Sequence, residues 1–141
     1  MAGEANLWKR MRNGVKPFCF AQRIENSAGE GVPDVVLHMR DIGTCHFVEL
    51  KCRILAPKRF STAIFTGSYG LRPAQIAWIH SRAVSQANVW ILGQCSNNIF
   101  LIHGRHSRNL ADMTYEMLLT EAKWSGSAYK TDWIGMIDSM K

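Results

Sequence analysis

Asp34, preceded by Pro33 and Gly31, is separated by fourteen residues from Glu49-Leu50-Lys51. Two carboxylates and an ammonium are side chains that suit metal-assisted hydrolysis of a phosphodiester. Mg²⁺ accepts one or two carboxylates and keeps several waters, with bonds of about 2.0–2.1 Å. A water bound to the ion loses its proton more readily and can attack phosphorus, while the ion neutralises charge developing on the phosphate. Lys51 would orient or help deprotonate that water, or stabilise the pentavalent transition state. The carbonyl of Leu50 is a natural further oxygen ligand.

The surrounding residues must bring these groups to one place. Residues 32–39 and 46–54 both alternate. In the first, Val32, Asp34, Val36 and His38 share a face opposite Pro33, Val35, Leu37 and Met39; in the second, Phe47, Glu49, Lys51 and Arg53 oppose Val48, Leu50, Cys52 and Ile54. Residues 41–44 are short enough for a hairpin between them. If the strands pair antiparallel, Asp34 shares a face with Glu49 and Lys51, and the other face packs on the core.

Before this hairpin, residues 4–12 predict a helix stopped by Asn13-Gly14, residues 18–25 a strand, and residues 26–31 a glycine-rich turn. After it, residues 55–71 read as a basic loop. Pro73 opens a helix to about Gln86, and strands at 89–92 and 98–103 flank a turn over 93–97. A helix near 110–123 follows, with Trp133, Ile137 and Met140 at helical spacing beyond it. The Met and aromatic stripes read as packing. The expected order is α-β-β-β-α-β-β-α, an α/β fold with helices flanking a mixed sheet. At 141 residues the chain is read as a single domain with a core over about 4–103 and a C-terminal helical segment over about 107–141.

Gly31-x-Pro33-Asp34 followed by Glu49-x-Lys51 resembles the PD-(D/E)XK nuclease superfamily, and within it the VRR-NUC-type phage nucleases and small Holliday junction resolvases. Arg23-Ile24-Glu25-Asn26 and Trp8-Lys9-Arg10 are similar to phage members of that group. Leu71-Arg72-Pro73-Ala74-Gln75 resembles the helix that supplies a glutamine to the site. The resemblance covers roughly residues 4–103. It implies a restriction-endonuclease-like fold, and Asp34, Glu49 and Leu50 as ligands of Mg²⁺, or Mn²⁺ in its place. It also implies catalytic roles for Lys51 and Gln75. An additional acid from the first helix would be Glu4, aligned with the stripe Leu7, Trp8 and Met11; Glu25 is the competing candidate. Taken singly, Asp34 also suits a strand opening, Glu49–Lys51 a solvated ion pair, Glu4 a helix N-terminus, and Gln75 a buried structural amide. The ensemble favours the nuclease.

Charge supports a polyanionic partner. Lys and Arg number 17 against 11 Asp and Glu, for a net charge of +6; residues 1–106 carry 13 basic and 6 acidic side chains, whereas 107–141 carry 4 and 5. Lys9, Arg10, Arg12, Lys16, Arg53, Lys58, Arg59, Arg72 and Arg82 are the expected phosphate contacts. The loop 58–70 offers Phe60, Phe65 and Tyr69 either to distorted DNA or to the core. With no room for a separate sequence-reading domain, cleavage of branched DNA is expected, and the resemblance to junction resolvases implies a homodimer; a flap, single-strand or restriction-type nuclease, an inactive DNA-binding module and an interaction protein without a nucleic-acid role are the alternatives.

Other chemistries fit less well. Cys19, Cys45, Cys52 and Cys95 form no C-x-x-C pair, and no serine sits in a nucleophile elbow. His103-Gly104-Arg105-His106 has no zinc-site spacing and reads as a surface or phosphate-contacting loop. The N-terminal residues lack a basic-then-apolar leader, and no apolar run approaches the roughly 20 residues of a membrane span. The expected location is cytoplasmic and not secreted, in a bacterial or phage-infected host cell or wherever the DNA is.

Overall fold

The computed structural model describes residues 2–24 and 29–141. Its elements are α1 (Ala2–Val15), β1 (Cys19–Arg23), β2 (Val35–Met39), β3 (Cys45–Arg53), α2 (Pro73–Val84), β4 (Val89–Cys95), β5 (Asn98–His103), α3 (Tyr115–Glu121), β6 (Trp124–Ser127) and α4 (Trp133–Met140). The six strands form one mixed sheet in sequence order. β1, β2 and β3 are antiparallel neighbours, α2 crosses over to place β4 parallel to β3, and β5 and β6 return antiparallel.

Each sheet face has its own core. Leu7, Met11 and Val15 of α1 and Met136, Ile137 and Met140 of α4 pack on Leu37, Val48, Leu50, Trp90 and Leu92. On the other face, Ile79 of α2 and Leu118 of α3 join Ile64, Phe65, Ile91, Phe100 and Ile102. Alternation along β3 divides its side chains between the layers, so Val48 and Leu50 lie under α1 and Glu49 and Lys51 turn toward α2. Among the described residues, no helix is long and apolar enough to cross a membrane.

Several elements depart from the sequence reading. α1 runs through Gly14 because the indole of Trp133 in α4 lies against it; a Cβ there would sit 2.0 Å from that ring. β4 continues through Gly93 and Gln94 to Cys95, with the Phe65 ring in the space a Gly93 side chain would need. The expected helix over 110–123 divides into a 3₁₀ turn at Leu110–Asp112 and α3, whose N-cap is Thr114, its hydroxyl accepting the Met117 N–H at 3.3 Å. β6, absent from the expected order, pairs with residues 98–101.

Candidate active site

The site forms where two paired strands part. The β2–β3 ladder ends at Val35 opposite Val48; one step further, the same register sets Asp34 against Glu49. There the chain leaves β3, and the Asp34 carbonyl accepts the Ile24 N–H at 2.8 Å. The Asp34 side chain takes over the abandoned backbone donor: its Oδ2 accepts the Leu50 N–H at 2.9 Å. In a strand, the N–H and C=O of one residue point to the same side, so the Leu50 carbonyl faces this gap as well. On its other edge β3 stays paired with β4 as far as Arg53, which holds Glu49 and Lys51 in place.

α2 closes the site. Its first turn is set by Pro73, whose fixed φ suits that position. Gln75 Oε1 accepts the Arg72 backbone N–H at 2.9 Å and the Lys51 ammonium at 3.3 Å, while Gln75 Nε2 donates to Glu49 Oε2 at 2.9 Å. One amide thus fixes the helix start, the acid and the amine together. Gly31 permits this approach: with φ +82° it lies so close to α2 that a Cβ would stand 2.3 Å from the Ala74 carbonyl oxygen. Asp34 and Gln75 line a cleft of about 290 Å³, with Glu30, Gly31 and Arg72 among its other walls.

Burial makes the acid unusual. Glu49 is 2% exposed and Lys51 8%, so neither belongs to a solvated strand face. Their charged atoms are 3.7 Å apart. Burial, and after it the neighbouring Asp34 charge, pushes the Glu49 carboxyl up to about 9; Lys51 opposes the shift, while a hydrogen bond from the protonated carboxyl to Asp34 and then the Glu4 charge add to it. Glu49 Oε1 is buried without a hydrogen-bond partner, and such an atom is costly unless something satisfies it. A divalent cation would: it would engage Oε1, offset the Asp34–Glu49 repulsion and meet the Leu50 carbonyl. The donor set is all oxygen, as Mg²⁺ and Mn²⁺ prefer. Among the described residues no three His, Cys, Asp or Glu side chains gather tightly enough to hold a metal by themselves, so the fit rests on two carboxylates, a carbonyl and water.

The remaining expected residues are distributed unevenly. Glu4 lies near enough to influence Glu49 electrostatically without completing a three-acid cluster, and Glu25 lies outside the described residues. Arg72 is exposed at the cleft. Lys9, Arg12, Lys58, Arg59 and Arg82 are also exposed, but Arg12 stacks on Trp8 and Arg82 on Trp78. Arg12 is eight residues from Glu4, about 12 Å along the helix; with Lys16 and Arg40 it lines a separate hollow beside Phe20. Arg53 donates to the carbonyls of Leu55, Ala63 and Ile64, bracing the loop after β3. Arg10 is turned inward, bonded to the Ala128 carbonyl and Gln94 and lying over Tyr129; its guanidinium ties α1 to β4 and the approach to α4. The sequence reading missed Glu30, whose only signal was its place next to Gly31.

Among the described residues the histidines form no comparable centre. His46 is 2% exposed, accepts the Trp90 indole N–H at 3.0 Å and contacts Thr44 at 2.9 Å; burial lowers its pKa. His103 accepts the Arg105 backbone N–H. All four cysteines are free thiols, and only Cys45 is exposed.

The sequence matches no protein-family model and no curated protein.

Proposed function

We propose that this protein is a metal-dependent endonuclease of the PD-(D/E)XK type, with a restriction-endonuclease-like core, that hydrolyses phosphodiester bonds in branched DNA as Holliday junction resolvases do. The observation that carries the reading is the grouping of Asp34, Glu49, Lys51 and Gln75 where the β2–β3 ladder ends, with one buried Glu49 oxygen lacking a hydrogen-bond partner. Asp34, Glu49 and Leu50 would hold Mg²⁺ or Mn²⁺, which when bound supplies an acidified water and charge neutralisation at phosphorus.

The chain's own residues do the rest. Lys51, held by Gln75 and screened from solvent, orients the attacking water or places its positive charge against the phosphate oxygens as negative charge accumulates. Gln75 positions both Lys51 and Glu49. Arg72, at the cleft mouth, aligns the phosphate backbone. The +6 charge favours DNA generally, and two such sites in a homodimer would suit paired nicks across a branch.

The test is cleavage of a labelled four-way junction and its matched linear duplex, with Mg²⁺, Mn²⁺ or EDTA. Junction-selective nicking that needs metal and is lost in Glu49→Ala and Lys51→Ala supports the full reading. Cleavage of both DNAs retains the chemistry and removes the junction preference. Binding without cleavage of any flap, single-stranded or linear DNA overturns the nuclease and leaves a DNA-binding module.

A further inference from the structure

On the α2/α3 side of the sheet, the loop after β3 forms a second cleft of about 390 Å³, within the range of small-molecule sites. Its walls combine Pro57, Phe60, Ile64 and Tyr115 with the polar edges of Asn97 and Asn98. Phe60 is 80% exposed, an unfavourable setting for a phenyl ring with no partner to cover it. Its centroid is 5.9 Å from Tyr115, with the rings inclined by 56°. Tyr115 in turn packs edge-on against buried Phe100 at 5.8 Å. One aromatic is therefore anchored in the core and its neighbour stands free beside it. Among the described residues Arg59 is the only charged one in the lining and no carboxylate enters the cleft wall; Lys58, which precedes Arg59, is exposed.

We infer that this cleft binds an unpaired nucleobase of a DNA strand, stacked on Phe60, with Asn97 and Asn98 offered to the base edge and Arg59 to its phosphate. An exposed aromatic beside cations is the arrangement that holds single strands, because every base presents a π-face and every nucleotide a negative charge. The position suits the proposed nuclease, and the inference rests on that reading for its biological sense. Arg53, paired with Cys95 in the cleft wall, follows Glu49 by four residues on β3, about 13 Å. A base in the cleft would therefore lie only a few nucleotides from the bond held at Asp34 and Glu49. The loop would thereby select DNA with unpaired bases close to the cut.

Binding can be measured apart from cleavage, by fluorescence anisotropy of a labelled oligo(dT) and a blunt duplex of equal length, in EDTA. Phe60→Ala should weaken oligo(dT) binding about tenfold and change duplex binding less than twofold, and Phe60→Trp should restore the single-strand affinity. Unfolding temperature reports folding of each variant. Equal oligo(dT) affinity in wild type and Phe60→Ala, or no single-strand binding by the wild type, overturns the inference even if junctions are cut. Phe60-dependent binding by a protein that cuts no DNA sustains the cleft and removes the nuclease. A loss of dimer in sedimentation on Phe60→Ala would assign the ring to a subunit interface and also overturn it.

Discussion

Glu49 is where burial and chemistry conflict most. Its folded-state pKa of about 9 lies above its usual 4.5, so the folded protein retains a proton that the unfolded chain has released. The associated stability is complete below pH of about 4.5 and is lost as pH rises toward 9. In EDTA, Glu49→Gln should therefore melt above the wild type at pH 8, with the difference closing near pH 4; thermal unfolding at the two pH values checks this. Metal binding should displace the same proton. Mn²⁺ affinity measured by calorimetry should rise about tenfold per pH unit between pH 6 and 8, and an unchanged affinity would separate Glu49 from the metal. Gln75→Leu keeps the helix former but removes the amide between Glu49 and Lys51. It should lower metal-dependent cleavage 10- to 100-fold with a smaller change in DNA affinity. At this scale the grouping of Asp34, Glu49, Lys51 and Gln75 was legible because Pro-Asp, Glu-x-Lys and the α2 glutamine, common singly, fall together on alternating strands and the helix that follows. The orphaned Glu49 oxygen and the Asp34–Leu50 bond were not, since both depend on where β2 leaves β3.

Glycines mark the limits of reading elements from a sequence. Gly14 and Gly93 look like a helix stop and a turn, yet each lies inside a regular element because an aromatic ring from elsewhere fills its missing side-chain volume. Trp133 is over a hundred residues from Gly14, and no local pattern links them. β6 escaped notice because Trp-Ser-Gly-Ser has the composition of a loop, and its register comes from the free edge of β5. The alternating strands before and after the hairpin were readable, since Val35, Leu37 and Met39 bury one face and leave His38 exposed on the other. Gly31 is the glycine whose replacement should matter most for function. Gly31→Ala combines a left-handed backbone with a clash against Ala74, at a cost of about 1–3 kcal/mol. Because the clash pushes α2 away from β3, cleavage should fall further than the melting temperature implies. Equilibrium unfolding alongside single-turnover cleavage distinguishes the two effects.

Over the whole molecule, positive charge is concentrated in the first three quarters of the chain, but it does not all converge on the cleft. Arg10 and Arg53 serve the fold, and Arg12, Lys16 and Arg40 meet around a hollow away from Asp34. Charge counting along the sequence could not separate these uses, because a guanidinium's partners are tertiary. Duplex affinity should decline steeply with salt, and Arg12→Gln and Lys16→Gln should each reduce the salt slope by about 1 if that hollow contacts phosphate. Cleavage site preference should remain unchanged, because phosphate contacts carry no sequence information. Arg10→Gln should instead lower the unfolding temperature, through loss of its bonds to Gln94 and Ala128.

The layer formed by α1 and α4 also has a history in time. α1 is made first, but Trp90, Leu92 and the rest of the sheet face beneath it are shared with Met136, Ile137 and Met140. Trp133, which fits against Gly14, belongs to the same late helix. Until residues 133–140 have been made and have left the ribosome, the part of that face they cover has no helix over it. Nascent chains stalled before Trp133 should thus be recognised by hydrophobic-surface chaperones and be digested readily by protease, whereas emergence of α4 should protect both α1 and β4 in a single step.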